Sequence, residues 1–151
     1  TLYEAVDGFS IAMLTTLTPE GALRSRPMTV ARREGSTFWF ATSLESGVAD
    51  DIRSVAQADI TFQSNFVYAS IFGEAEVVDD PELVRSLWND SWAAWFPHGP
   101  TDPDLVLVKV VGRSGDLWDL RGSRGLKAAL QMVSAAVNRR LAHQGQGHIA
   151  L

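Results

Sequence analysis

The 151-residue sequence contains no cysteine, which excludes disulfide bonds, thiolate metal ligands and a cysteine nucleophile. It is also poor in positive charge, because 13 Lys and Arg residues against 18 Asp and Glu residues give a net charge of −5 at pH 7. A general nucleic-acid-binding protein needs a basic face for the phosphate backbone, so this class is disfavoured. No apolar run reaches the roughly 18 residues of a membrane-spanning helix. We therefore expect a soluble cytoplasmic protein with no nucleic-acid or membrane partner.

Recognisable catalytic and metal-binding motifs are also missing. The three histidines, His98, His143 and His148, are scattered, and no Ser-His-Asp signature is present. The acidic stretch at residues 102–104 fits a proline-fixed turn better than a metal loop, because hard cations need several more oxygen ligands at set spacing. The glycines form no phosphate-binding loop. We predict no metal site and no catalytic side chain.

Alternating apolar and polar residues, separated by turn sequences, predict a mainly β protein with peripheral helices. The predicted strands are residues 11–17, 23–31, 37–42, 58–63, 68–78 and 105–111, with a further segment at 116–120 after a glycine-containing break. The predicted helices are residues 48–56 (with Ser46 as N-cap), 81–95 (with Asp80 as N-cap) and about 126–142. Six or seven strands in hairpin order predict an antiparallel barrel that forms one domain over residues 1–151.

Two clusters of side chains suited to anion binding lie on neighbouring predicted strands. The members are Arg24, Ser25 and Arg26 on one strand, and Thr42, Ser43 and Ser46 at the end of the next, where a helix begins. Antiparallel pairing would bring the clusters together, and free N–H groups at the start of a helix suit phosphate. A solvated strand face and an ordinary serine cap explain the same residues equally well. The residues alone leave both interpretations open.

Tryptophan is a second unusual feature. Trp88, Trp92 and Trp95 recur at helical spacing, and Trp118 ends the last predicted strand. A tryptophan stripe of this kind either packs against the barrel or forms the wall of a site for an aromatic ligand. Both interpretations are compatible with the sequence.

Longer stretches resemble a known family. In chain order, EGALRSRPM, FWFATSLES and WFPHGPTDPDLVLVKV are similar to the pyridoxamine 5′-phosphate oxidase-like superfamily of FMN-binding split barrels, in its general stress protein subgroup. The resemblance covers nearly the whole chain to Asp119. It implies a six- to seven-stranded antiparallel split β-barrel, FMN as the cofactor, and a homodimer with its cofactor sites at the subunit interface.

The resemblance also assigns residues to the cofactor. The arginine of the family's RPM strand, which approaches the flavin ribityl chain and phosphate, is Arg26 in this chain. The family's phosphate-binding serine and lysine correspond to Ser46 and Val48, so the serine is kept and the lysine is absent. The other residues implied at the site are Ser25, Pro27, Met28, Thr42, Ser43 and Trp118.

The absent lysine weakens the expected phosphate site. One lost charge-assisted contact costs about 1.5–3 kcal/mol. Either Arg24 on the strand or Arg53 on the helix could compensate, and we expect Arg26 to be the main cation because Val48 cannot be one. The alternatives are weak FMN binding, a different ligand in the same groove, or a flavin-free relative.

Two classes of function remain. Pyridoxamine phosphate oxidases carry an Arg-Leu-His-Asp-Arg motif near their C-terminus, whereas this chain has WDLRGSRGLK, so that oxidase activity is not expected. The first class is an FMN-dependent oxidoreductase of unknown substrate, in a subgroup linked to stress. The second is a non-catalytic protein that binds or senses a flavin. The apolar strand 105–111 and the tryptophan helix are predicted to lie near the dimer interface.

Overall fold

A six-stranded antiparallel barrel forms the centre of the described molecule. The computed structural model describes residues 1–122 and residue 131, and in this part of the chain six strands close into a barrel in the order β1-β2-β3-β6-β5-β4. The strands are β1 (Ile11–Leu17), β2 (Leu23–Glu34), β3 (Thr37–Ser43), β4 (Gln57–Gln63), β5 (Val67–Val78) and β6 (Leu105–Asp119). The predicted antiparallel barrel is thus confirmed, but its hairpin order is not kept throughout, because β3 pairs with β6 and β4 pairs with β1. Apart from residue 131, the helix predicted at about 126–142 lies outside the described residues, and the single domain over residues 1–151 stays a prediction.

The interior of the barrel follows from the alternation within each strand. Successive strand side chains point to opposite faces, so every second residue of a barrel strand faces inward. Leu14, Phe40, Ile60, Ile71 and Val110, from five different strands, are all completely buried. The two-residue period of the sequence therefore produces one shared apolar core.

The predicted break in the last strand is wrong. β6 runs without interruption and pairs with β5 from Val67 opposite Asp119 to Val78 opposite Leu107. The register shifts at Gly73, where an added Cβ would lie only 2.6 Å from the carbonyl oxygen of Val111. Gly73 pairs with Gly112, the first residue of the predicted break in β6. The glycines there allow the two backbones to approach closely and do not interrupt the strand.

Within residues 1–122, three short α-helices surround the barrel: α1 (Leu2–Ala5), α2 (Val48–Ser54) and α3 (Pro81–Leu87). The sequence did not predict α1. Asp80 caps α3 as predicted. Ser46, however, does not cap α2, because residues Leu44–Ser46 form a separate 3-10 turn and Gly47, with a φ of 80°, precedes the helix. α2 packs against β1, β3 and β5.

The predicted helix over residues 81–95 is also wrong. It ends at Leu87, and the Asn89 side chain accepts a hydrogen bond from the backbone N–H of Ser91 to begin a new 3-10 turn. Asn, Asp and Ser side chains favour such local bonds over continued helix. The tryptophans therefore do not form one helical face: Trp92 is buried, whereas Trp95 is 81% exposed.

Candidate functional site

A cavity opens where β2 and β3 separate. The two strands pair from Glu34 opposite Thr37 to Val30 opposite Phe40, with a bulge at Ala31. Beyond this point β2 pairs only with β1, and the end of β3 pairs only with β6. The gap between them holds a cavity of about 580 Å³, a size typical of small-molecule sites.

The cavity brings together nine of the ten residues that were predicted at the cofactor site. These are Arg24, Ser25, Arg26, Pro27, Met28, Thr42, Ser43, Ser46 and Val48. Trp92, Trp95 and Phe96 line the cavity as well. β2 and β3 thus place both predicted anion-binding clusters around the same cavity, and the aromatic side chains form part of the same wall.

Pro27 lies on the open edge of β2. The backbone N–H of Val30 donates to Ser10 on the β1 side, and N–H groups along a strand point alternately to the two sides. Residue 27 would therefore direct its N–H away from β1, towards the gap. Proline has no N–H, so it leaves no unpaired donor at this edge.

The most prominent polar feature beside the cavity is a buried carboxylate, Asp51, which α2 holds against β1 and β2. Arg24 binds it through two nitrogens, with Nη2 2.7 Å from Oδ1 and Nε 3.2 Å from Oδ2. Arg26 Nη2 lies 3.2 Å from Oδ2, and the Thr16 hydroxyl donates to the same oxygen at 2.8 Å. The two arginines that were expected to await an external anion are therefore paired with an internal one.

The pKa values follow from this arrangement. Burial by itself would raise the pKa of Asp51, but the hydrogen bonds from Arg24, Thr16 and Arg26 outweigh it and lower the pKa below 3.8. Burial lowers the pKa of Arg26, partly offset by Asp51, whereas the hydrogen bond to Asp51 raises the pKa of Arg24. Asp51 is consequently ionised at neutral pH.

The two arginines differ in their access to a ligand. The Arg26 side chain is 17% exposed, and its Nη1 is already bonded to Thr16 at 2.6 Å. The Arg24 side chain is 47% exposed, and its hydrogen bonds with the described residues use only Nε and Nη2. The structure thus favours Arg24, rather than the expected Arg26, as the cation that reaches a ligand. Arg53 is exposed on α2 and does not line the cavity.

Gly47 makes room for Arg24. A Cβ at this position would lie 3.1 Å from Arg24 Nη2, and the φ of 80° is one that other residues rarely adopt. The next residue, Val48, is only 1% exposed and belongs to the barrel core. The Arg24 guanidinium therefore lies beside Gly47, next to the position to which the resemblance assigned a lysine, while the Val48 side chain itself is buried.

The serine side of the cavity is less free than the sequence suggested. The Ser43 hydroxyl donates to Asp104 at 2.5 Å and accepts from the backbone of Glu45. Ser46 donates to the Ser43 carbonyl and lies 3.1 Å from the Thr42 hydroxyl. A second carboxylate, Asp104, thus stands behind the cavity wall.

Trp118 lies apart from the other nine residues. It lines a second cavity of about 520 Å³ together with Tyr68, its cross-strand partner, and with residues of β1 and β4. Ile11 lines both cavities, so the two spaces are neighbours on the barrel surface. Within this chain, Trp118 does not share the cavity of the arginines.

Sequence reasoning missed the role of Asp51, although a signal existed. Val48 and Ile52 mark the apolar face of α2, and Asp51 lies three residues after Val48, on that same face. A carboxylate on a buried helix face needs hydrogen-bonding partners. The arginines at positions 24 and 26 were the available cations.

The described residues form neither a metal site nor a membrane-spanning helix. Within them, His, Asp and Glu side chains nowhere come together in a group of three that would suit a metal ion. No helix in this part of the chain combines the length and apolar character needed to cross a membrane.

Comparison with known proteins gives a consistent result. The model of the family described as pyridoxamine 5′-phosphate oxidase like matches residues 1–142. Protein bli-3 of Neurospora crassa is 35% identical over 112 residues, which are 66% of this chain and 54% of that protein. The chain thus spans about half the length of this curated relative.

Solved structures with a similar fold include two stress-protein relatives. A general stress FMN/FAD binding protein of Xanthomonas citri is 29% identical, with a TM-score of 0.69 over 80% of this chain and 87% of the other. A protein of Clostridium acetobutylicum related to general stress protein 26 is 21% identical, with a TM-score of 0.70 over 78% and 84%. The second similarity concerns the fold alone.

Proposed function

Because the chain belongs to the pyridoxamine 5′-phosphate oxidase-like family, we propose that the cavity between β2 and β3 binds a flavin, either FMN or a close relative. The observation that carries this proposal is the composition of the cavity wall. Met28, Trp92 and Phe96 are largely buried apolar residues, and Arg24 provides a half-exposed cation in the same wall. This arrangement suits a ligand with a flat apolar ring and an anionic tail.

The residues present fit such a ligand in distinct ways. The apolar wall would exclude water from the ring, and the exposed Trp95 would cover it from the rim. Arg24 would hold the anionic end, while Asp51 and Gly47 keep its guanidinium in position. The open edge of β2 at Ser25 and Pro27 would offer backbone carbonyls to the ligand.

We further propose that the protein is a flavin-dependent oxidoreductase with an unidentified substrate. A bound flavin itself supplies hydride-transfer chemistry, so the protein must bind, orient and shield it. This agrees with a cavity wall that offers arginines, hydroxyls and aromatic rings rather than a catalytic triad. A non-catalytic flavin-binding or sensing protein needs the same cavity and is the second candidate.

We also propose a homodimer, but with a different surface from the one the sequence suggested. The residues of β6 from Leu105 to Val108 are all buried within this chain, so they leave no apolar surface for a partner. Val108 packs in the barrel core, whereas Leu105 and Leu107 pack in a second cluster with Trp92 and Phe96. Exposed apolar side chains occur instead around the second cavity and the adjacent sheet: Ile11, Met13, Phe72, Leu117 and Trp118. Sedimentation that shows a monomer at micromolar concentration would contradict this assembly.

Flavin binding is tested by fluorescence titration of the purified protein with FMN. We expect saturable quenching, and Arg24→Gln should weaken binding about tenfold. Arg53→Gln removes the same charge outside the cavity and should bind as the parent does. A parent protein that binds no flavin contradicts the proposed function.

The two candidate functions are separated by an oxidation assay. The flavin-loaded protein is mixed with NADH or NADPH, and absorbance of the nicotinamide is followed with and without the Arg24→Gln change. Turnover that depends on Arg24 supports an oxidoreductase. Flavin binding without turnover of either nucleotide, and without reduction by either, favours the binding protein.

A further inference from the structure

The polar end of the cavity has an unusual charge count. Two guanidinium groups, Arg24 and Arg26, share one ionised carboxylate, Asp51, so the cluster carries a net charge of +1. Among the residues that line the cavity, these two arginines are the cations. The remaining polar lining is neutral hydroxyl, from serine and threonine.

Within residues 1–122, no further cation lines the cavity. Residue 48 is a buried valine, and the carboxylate of Asp104 accepts the Ser43 hydroxyl just behind the wall. Glu20 adds a further negative potential at Arg24. The described lining of the cavity therefore offers a ligand one unit of net positive charge.

Charge balance decides which anions such a site accepts. Attraction to the cluster grows in proportion to the charge of the ligand group, whereas the cost of removing that group from water grows with the square of its charge. A singly charged group leaves the partly enclosed site neutral. A doubly charged group leaves one negative charge uncompensated beside Asp51 and Asp104.

We propose that the polar end of this cavity selects a flavin with a singly charged anionic group, such as a phosphodiester, over one with a doubly charged phosphate monoester. In this proposal Asp51 is the specificity-determining residue, because it cancels one of the two guanidinium charges and aligns both arginines. The proposal rests on the proposed function, since it concerns the same cavity and a flavin ligand.

The experiment compares three ligands that share one ring system. They are riboflavin, which is uncharged, riboflavin 4′,5′-cyclic phosphate, which carries one charge, and FMN, which is mostly doubly charged at pH 8 because its second phosphate pKa is about 6. Dissociation constants are measured by fluorescence at pH 8 and constant salt. We expect the cyclic ester to bind tightest, about threefold or more ahead of FMN.

Two variants then each add one positive charge, one inside the cavity lining and one outside it. Ser46→Lys adds a charge at an exposed lining position without touching Asp51, and it should reverse the order in favour of FMN. Ser54→Lys makes the same change at the exposed end of α2, outside the cavity lining, and should keep the parent order. Within one variant, the ratio of the dissociation constants for FMN and the cyclic ester is unaffected by a general loss of folded protein. When this ratio is compared between variants, the constant difference in shape between the two ligands cancels.

Two changes test Asp51 itself. Asp51→Asn should shift the ratio towards FMN, as Ser46→Lys does. If this variant does not fold, Arg24→Gln tests the same point. In Arg24→Gln the ionised Asp51 would pair with Arg26 alone, so the cluster would carry no net charge. The cyclic ester should lose its advantage over riboflavin in that variant, and retention of that advantage would overturn the role of Asp51.

The outcomes separate the two levels of the proposal. FMN binding tightest in the parent, or an unchanged ratio in Ser46→Lys, overturns the charge selectivity while flavin binding stands. Failure of all three ligands to bind, including uncharged riboflavin, overturns the proposed function and this inference with it.

Discussion

The two sides of the barrel differ in how their walls are built. On the closed side, β5 and β6 stay paired from Val67 to Val78, and the inward side chains, such as Ile71 and Val110, are apolar. On the open side, the part of β2 that precedes Val30 is not paired with β3, and it carries Arg24 and Arg26 on its inward face. The same chain thus seals one wall with backbone pairing and leaves the other as a cavity.

Each side of the barrel has an ion pair, and the two pairs differ in their exposure to water. Arg113 and Glu74 form an ion pair on the closed side, with both side chains more than half exposed to water. Arg26 and Asp51 form one on the open side, where the carboxylate is fully buried. Water screens the first pair, whereas the second must be balanced by the protein itself. The open side therefore depends on its internal charges, and the closed side depends on fit between its backbones.

The largest expected effect comes from breaking the charge balance of the open side. Asp51→Asn removes the only negative charge of the cluster and should lower the free energy of unfolding by about 3 kcal/mol. Urea denaturation measures this change. Asp50→Asn, at the exposed neighbouring position on α2, is the matched control and should have little effect. Equal effects of the two changes would contradict the structural role of Asp51.

The same carboxylate predicts a dependence on acid. Its pKa is lower in the folded protein than the ordinary 3.8, so its contribution to stability is present above that value and disappears as the pH falls through the folded pKa. Thermal unfolding of the parent should therefore show a steeper loss of stability below about pH 4 than Asp51→Asn shows. Parallel curves for the two proteins would argue against this pairing.

The closed side should be destabilised by a steric clash between β5 and β6 rather than by a change of charge. Gly73→Ala would place a Cβ 2.6 Å from the Val111 carbonyl oxygen and 2.8 Å from a Val110 methyl carbon, which should cost about 2 kcal/mol. Gly8→Ala is the control, since a Cβ there would meet nothing within 4 Å. Urea denaturation distinguishes them, and an unaffected Gly73→Ala variant would mean that β5 and β6 can separate.

A smaller change should affect both stability and ligand access on the open side. Gly47→Ala strains a backbone with a φ of 80° and crowds Arg24, so we expect a loss of about 1 kcal/mol and weaker flavin binding. Gly35→Ala imposes similar strain at a φ of 58°, where a Cβ has open space. It should lose comparable stability but keep its flavin affinity, and a binding loss in both variants would remove the special role of Gly47.

The smallest effect should come from the exposed pair on the closed side. Hydrogen bonds from Arg113 lower the pKa of Glu74, but exposed ion pairs contribute little to folding. Glu74→Gln should leave the melting temperature nearly unchanged in low salt and in high salt. A clear drop that high salt abolishes would show that the closed side also depends on charge.

Much of the barrel could be predicted from local patterns. Residues 11–17 and 37–42 alternate with a period of two, and turn sequences predict the hairpins β1-β2 and β2-β3. Those signals depend only on neighbouring residues, so most strands and the antiparallel barrel were predicted correctly. The hairpin order fails after β3, because β3 pairs with β6 and β4 pairs with β1 across the closed barrel. The ends of helices were not, because Asn89 and Gly47 change the backbone through local hydrogen bonds and a positive φ that compete with helical periodicity.

The sequence by itself determined which side chains surround the gap, since strand order and alternation bring Arg24, Arg26 and Ser46 to one place. Only the tertiary structure decided what those side chains do. Asp51 is 25 residues from Arg26 along the chain, and its position on the buried face of α2 turns two free cations into a cluster with one net positive charge. Electrostatic energy depends on distance and burial in space, which no local pattern in the sequence records.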